Sequence, residues 1–354
     1  MTVATGYRQN LWRGIEMKRI LVTGGAGLIG SFLCERLVAE GHEVLCVDNF
    51  FSGAKSNVAH LGASPNFELI RRDVCEPIRL EVDQLYHLAR PAAPVHYQYQ
   101  PVKTIRAAVE GTVQMLELAS SLGIRIVIAS SGEVYGDTPD ALISETGLAG
   151  MPLLGMKSCF IEGNRCSEAI ASAYQAQFGT DVRIARIFNT YGPRMPVDDG
   201  RVISNFILQA LDGSEITIFG DGEQKRSFCY VDDMIDGLIR LMNADVNPAV
   251  VNLGSNEAVT IKYLAELVVR MTGSSSPIIK SALPDSDPKK RCPDISHANQ
   301  TLGFVPRVSL DVGIVQTIEY FERAVADDIR PCPRRLPTPP PLPCTDPGST
   351  KVEA

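Results

Sequence analysis

No stretch of this 354-residue chain approaches the ~18 apolar residues that a membrane-spanning helix needs. Residues 1–16 lack the apolar core of a secretory signal. A chain that neither spans a membrane nor is exported is expected, and the cytoplasm is the expected compartment. There is no basic excess either: the formal net charge is -7, with no long Lys/Arg run. That argues against a nucleic-acid backbone as the main partner, though not against an anionic small molecule, for which local charge decides. The nine cysteines (34, 46, 75, 159, 166, 229, 292, 332 and 344) are odd in number and none pairs as C-x-x-C. A disulfide framework and a zinc site are both disfavoured, no metal is expected, and a reducing environment fits. What remains is ordinary globular material, 45% hydrophobic and 21% charged, enough for a core of normal size.

The interior of the chain alternates. Strands are expected at 20–22, 43–48, 67–70, 84–88, 125–130 and 182–187, and helices at 31–40, 102–122 and 157–178. Such alternation predicts a Rossmann-type α/β fold, a doubly wound parallel sheet with helices on both faces. After residue 189 the pattern loosens. Helices are expected at 202–211, 231–242, 261–271 and 310–325, with short strands at 216–219 and 250–253. These pieces read as a smaller α/β substrate lobe interleaved with the first. The expected organisation is a flexible extension (1–17), a mainly nucleotide-binding domain (18–188), a mainly substrate-binding lobe (189–328) and a disordered tail (329–354). Eight of the last 24 residues are proline, which neither continue a helix nor fill a core.

Between the first strand and first helix lies Thr23-Gly24-Gly25-Ala26-Gly27-Leu28-Ile29-Gly30. Gly25, Gly27 and Gly30 match G-x-G-x-x-G; Gly24, Gly27 and Gly30 match a looser form. Glycines let the chain turn sharply, bring backbone N–H groups to a pyrophosphate and pack helix on strand. The helix N-terminus adds free N–H groups and a positive dipole end. Asp48 ends the second strand, where a carboxylate accepts hydrogen bonds from ribose hydroxyls and repels a 2′-phosphate. Asn49-Phe50-Phe51 supplies no arginine, so NAD is favoured over NADP. Asp73 and Val74, after the third strand, suit the adenine edge.

Longer strings carry a more specific resemblance: Val47-Asp48-Asn49-Phe50-Phe51, Tyr86-His87-Leu88-Ala89, Glu133-Val134-Tyr135-Gly136-Asp137, Arg186-Ile187-Phe188-Asn189-Thr190-Tyr191-Gly192-Pro193-Arg194-Met195 and Asp199-Gly200-Arg201-Val202-Ile203-Ser204-Asn205-Phe206. From about residue 18 to 325 the chain resembles extended short-chain dehydrogenase/reductases (the NAD-dependent epimerase/dehydratase family), and among them the UDP-glucuronic acid decarboxylases. The resemblance implies an NAD cofactor, a UDP-sugar ligand and a homodimer paired through the two long helices. It implies chemistry in which C4 of the glucuronate is oxidised and the resulting β-keto acid loses carbon dioxide. The ketone is then released or reduced. Cofactor contacts are implied for Gly24, Gly27, Leu28, Ile29, Gly30, Asp48, Asn49, Phe51, Ser52, Asp73, Val74, Leu88, Arg90, Ala129, Phe160, Asn164, Thr190 and Arg201. Asn189, Asn205, Arg226 and Arg291 are implied on the sugar-nucleotide side, where planar guanidinium forks suit a diphosphate.

The match breaks at the chemistry. The family's Tyr-x-x-x-Lys motif aligns with Phe160-Ile161-Glu162-Gly163-Asn164. In the family the Tyr takes the C4 hydroxyl proton, and the Lys lowers its pKa and holds the nicotinamide ribose. A phenyl ring accepts no proton, and Asn164 has no charge. The family's Thr-Ser-Glu string reads Ser131-Gly132-Glu133, and loop 147–157 is rewritten. Arg90 stands where relatives carry a small residue, and it can repel NAD+ or hold a substrate carboxylate. Two readings follow. One is an enzyme that reroutes proton transfer through Glu133, Ser131 or water. The other is a catalytically silent relative that holds NAD and a nucleotide sugar and pairs with an active homologue.

Overall fold

The computed structural model describes residues 16–136, 142–147, 155, 157–197, 199–282 and 290–326. Most of the expected N-terminal extension, the proline-rich tail and most of loop 147–157 lie outside the described residues. In chain order the elements of the first part are β1 (Arg19–Thr23), α1 (Leu28–Ala39), β2 (Glu43–Asp48), β3 (Phe67–Arg71), β4 (Gln84–His87), α2 (Pro94–Tyr99), α3 (Pro101–Leu122), β5 (Arg125–Ser131), α4 (Ser158–Phe178) and β6 (Val182–Ile187). The second part contributes β7 (Thr190–Tyr191), α5 (Val202–Leu211), β8 (Ile216–Phe219), β9 (Lys225–Ser227), β10 (Cys229–Tyr230), α6 (Val231–Asn243), β11 (Val250–Leu253), β12 (Ala258–Thr260), α7 (Ile261–Thr272), β13 (Ile278–Ser281), β14 (Lys290–Arg291), α8 (Ser296–Leu302) and α9 (Leu310–Ala326).

Seven strands form one sheet in the order β11-β6-β5-β4-β1-β2-β3, every neighbouring pair parallel. Strands buried on both faces read as continuous apolar runs, and side chains alternate between the faces. Leu21, Leu45, Leu85, Ile126 and Ile128 therefore meet Met115 and Leu116 of α3 and Ala171 of α4 on one side. Ile20, Val22, Val44, Cys46 and Val127 face Leu33 of α1 and Met234 of α6 on the other. The long helices α3 and α4 end at Gly123 and Gly179, both left-handed, the usual stop for a helix.

The sheet order reverses between β1 and β4, since β2 and β3 extend one way and β4, β5 and β6 the other. Their carboxyl ends flank a crevice there, the place where such sheets bind ligands. β11 comes from chain well past residue 189 yet completes the sheet beside β6. The remaining second-part strands form small sheets of their own: β7 with β10, β8 with β13, and β12-β9-β14. In the last, Arg226 and Arg291 lie opposite one another in register. No helix among the described residues is long and apolar enough to cross a membrane.

The long elements fall within a few residues of their expected places. α1 begins at Leu28 rather than at residue 31, because Gly27 is its extended N-cap and the phosphate turn runs directly into the helix. α2 was not expected. It has six residues, with Pro94 in its first turn and Pro101 opening the next helix, too short for a 3.6-residue period to show. α8 and the two- to four-residue strands β7, β9, β10, β12, β13 and β14 escape for the same reason.

Candidate functional site

The crevice is a cleft of about 320 Å³. At one end stands the glycine turn. Gly24 adopts φ +71°, and a Cβ there would lie 2.8 Å from the Ala89 backbone. A Cβ on Gly30 would lie 2.1 Å from the Gly24 carbonyl oxygen. Gly24 N–H is held by the Val47 carbonyl (2.8 Å) and Gly27 N–H by the Gly24 carbonyl (3.1 Å). α1 has no capping side chain and no acidic residue in its first turn, so its leading N–H groups and positive dipole end are left for an anion. Backbone packs too closely at Gly24 and Gly30 for any side chain, and the cradle so shaped fits a dinucleotide pyrophosphate.

Asp48 locks the turn from the β2 end. Its Oδ2 accepts from Ala26 N–H (3.0 Å) and its Oδ1 from Phe50 N–H (2.7 Å). Burial pushes this carboxyl up, against those two bonds. Each oxygen keeps a lone pair for a ribose hydroxyl. Asn49 donates to Asp73 Oδ2 (2.8 Å) and accepts from Phe51 N–H (2.9 Å). Burial would raise the Asp73 carboxyl, but the bonds from Cys75 and Asn49 outweigh it and hold it low. Asp73 thus orients Asn49; Val74, not Asp73, reaches the cleft wall.

The other end carries the altered chemistry. Ser131 Oγ accepts from Glu133 N–H (3.2 Å) and opens a 3-10 turn, Gly132–Tyr135. Phe188 belongs to a string shared with the family, so its ring alone does not account for the lost serine, but a Cβ at Gly132 would lie 2.8–2.9 Å from three carbons of that ring. Gly132→Ser should therefore destabilise the chain by about 1–3 kcal/mol through overpacking, readable as a shift in the urea midpoint. Phe160 stacks on Tyr97, ring centroids 5.3 Å apart at 18°. Asn164 Nδ2 donates to the Phe160 carbonyl (2.7 Å), and its Oδ1 accepts from Arg90 Nη1. Arg90 Nη2 donates to Thr112 Oγ1 (3.1 Å). Burial lowers the Arg90 guanidinium to about 10, still charged at neutral pH.

Most expected residues therefore share one cleft. Leu28, Ile29, Phe51, Ser52, Leu88, Ala129, Asn189, Thr190 and Arg201 also line it. Arg201 is held by Asp199 Oδ2 (2.5 Å), and Asn189 donates to the Ser227 carbonyl (3.2 Å). Asn205 turns away to the Gly200 carbonyl (3.2 Å), and Arg226 donates to the Lys225 carbonyl (2.8 Å); neither is on the cleft wall. Arg291 is buried and paired with Glu133 Oε1, while Glu133 Oε2 is buried without a partner. The arginine expected on a diphosphate and the carboxylate expected at the sugar are thus bound to each other.

Sequence reasoning missed Tyr97 and Lys103. Burial pushes the Tyr97 phenol up to about 12, with Arg291 opposing. Lys103 Nζ sits 4.4 Å over the Phe51 ring. Both belong to α2 and the start of α3, and the prolines at 94 and 101 were the signal available.

An open parallel sheet, a glycine cradle at its switch point and a carboxylate closing the second strand define a dinucleotide-binding fold. The sequence profile of the NAD dependent epimerase/dehydratase family matches residues 20–254, and the chain belongs to that family. It is similar to UDP-glucuronic acid decarboxylase 1 of Xenopus tropicalis, 48% identical over 308 residues, covering 87% of this chain and 73% of the relative. It is likewise 48% identical to UDP-glucuronic acid decarboxylase 5 of Arabidopsis thaliana, covering 86% and 89%. Among solved structures it resembles UDP-glucuronic acid 4-epimerase from Bacillus cereus in complex with UDP-glucuronic acid and NAD. That match has 28% identity and a TM-score of 0.78, over 86% of this chain and 99% of the other.

Proposed function

We propose that the chain holds NAD and a UDP-sugar in this cleft and acts as a UDP-glucuronic acid decarboxylase-like enzyme with altered proton transfer. The observation that carries this reading is the continuity of the cleft. An intact glycine cradle and Asp48 at one end lead without interruption to Ser131, Glu133, Asn189 and Arg201 at the other. Bound NAD would supply hydride chemistry at the sugar C4. Gly24–Gly30 would hold its pyrophosphate and Asp48 a ribose, while Val74 would flank the adenine. Asn189 would meet the sugar nucleotide and Arg201 the cofactor; Asn205, Arg226 and Arg291, also proposed for the sugar nucleotide, would have to leave their present partners to reach it. The buried free oxygen of Glu133 and the Ser131 hydroxyl are the groups left to move a proton. Losing a positioned general base typically reduces rate by about 10²–10⁴, so turnover is expected to be slow.

The test is incubation with NAD and UDP-glucuronate, following carbon dioxide and sugar-nucleotide products. Slow multiple turnover is expected. No product across a panel of UDP-sugars, with NAD binding retained, would move the chain to the second reading, a silent relative. Phe160 and Asn164 favour that second reading. We also propose a homodimer through α3 and α4, where Val102, Ile105 and Phe178 stand exposed at 69%, 37% and 57%; a monomer mass in solution would reject it.

A further inference from the structure

The charge lost at position 164 has not left the cleft. Arg90 follows β4 and reaches across to the Asn164 amide, placing a guanidinium where a longer side chain from α4 would end. Thr112 of α3 steadies the fork. Two of its five N–H groups are thus engaged, and Nε is buried with no partner among the described residues. No carboxylate among the described residues forms an ion pair with it. Glu168 is the acid whose field it feels, but that carboxylate is taken by Ser130 (2.5 Å) and by Arg186 (3.0 and 2.7 Å). His87, also beside it, is pushed well down by burial and by Arg90 and bonds Thr23. A half-buried cation whose Nε is enclosed and which has no counter-charge is unfavourable until something completes it. It sits on the cleft wall with Ala129 and Phe160, on the far side of β1 from Asp48. A dinucleotide whose pyrophosphate is anchored on the glycine turn extends its second ribose toward that end.

We propose that Arg90 is a positioning residue that supplies the cation missing from residue 164 and holds the nicotinamide-side ribose of the cofactor. This rests on NAD occupying the cleft. It differs from both roles the sequence suggested for Arg90, repelling NAD+ or holding a substrate carboxylate.

The test is calorimetric titration of the full chain with NAD, ADP-ribose and AMP. Arg90→Met, which keeps the apolar stem, should weaken NAD and ADP-ribose by roughly 10- to 100-fold, the loss of charge-assisted hydrogen bonds. AMP binding, which uses only the Asp48 end, should be unchanged. Arg90→Ser with Asn164→Lys, which returns the cation to α4, should restore NAD affinity, and it serves if Arg90→Met fails to fold. Unchanged or tighter NAD binding in Arg90→Met overturns the proposal. Equal losses for AMP and NAD do so too, since they mark a merely structural role. Wild type that binds AMP but not NAD also rejects it, together with the cofactor reading; wild type that binds neither removes the nucleotide site altogether.

Discussion

Restoring the two motif residues, Phe160→Tyr with Asn164→Lys, should leave decarboxylation at the wild-type level, whereas adding Arg90→Ser should raise it by at least about 10²-fold, the contribution of a positioned base. The reason is the contact between Arg90 and the residue 164 side chain. Asn164 is 1% exposed, so a lysine there would set an ammonium against a guanidinium with no water between them. Two like charges buried together are several kcal/mol unfavourable, and Asn164→Lys alone should lower Tm by roughly 5–10 °C. The local response would be to expel one cation, most directly the lysine, leaving the restored tyrosine without its partner. Removing Arg90 frees that place. Phe160→Tyr is undemanding by comparison, because the ring already stacks flat on Tyr97 and gains only a hydroxyl at its cleft-facing edge. Gly132 should be left alone, since Phe188 fills the space of a serine Cβ. Equal activity in the double and triple variants would show that Arg90 does not block the motif. Calorimetry on the same proteins separates lost chemistry from lost binding.

How much of this was legible beforehand depended on sequence distance. The glycine turn, β2 and Asp48 lie within one βαβ unit, and their spacing alone carries the chemistry. The long strands and helices announced themselves through continuous apolar runs and 3.6-residue periods. Pairings across the sheet gave no local sign. Arg90 and Asn164 are 74 residues apart, and Arg291 and Glu133 are 158 apart. Each residue taken singly reads as a free charge or amide. Only the strand order, which brings the ends of β4 and β5 beside α4 and β14, shows that they occupy one another. The departures from the family motif are therefore partly coupled: Asn164 goes with Arg90.

The glycine turn offers a second large and separable effect. Gly30→Ala should abolish measurable NAD binding and also destabilise the fold by about 3 kcal/mol or more, at or beyond the upper end of ordinary overpacking. Its Cβ would sit 2.1 Å from the Gly24 carbonyl oxygen and 2.7 Å from the Gly25 Cα. Those are backbone atoms of a turn already tied to Val47 and Asp48, so no side-chain rotation relieves the clash. Gly27→Ala should behave differently. Gly27 has φ −76° and ψ 179°, a conformation alanine adopts freely, and its Cβ would meet only the Gly24 carbonyl oxygen, at 3.3 Å. The new methyl would stand on the cleft wall beside the first N–H groups of α1, where a pyrophosphate must come close. Stability should stay within about 0.5 kcal/mol of wild type, as for substitutions that disturb no packing. NAD affinity should fall by roughly 10²-fold, as expected when two charge-assisted hydrogen bonds are held out of reach. Thermal melts with and without NAD check both: Gly30→Ala melts early in either case, while Gly27→Ala melts like wild type but loses the shift that NAD produces. A normal NAD shift in Gly27→Ala would mean that the dinucleotide does not lie over this turn, and the assignment of the cleft would have to move with it.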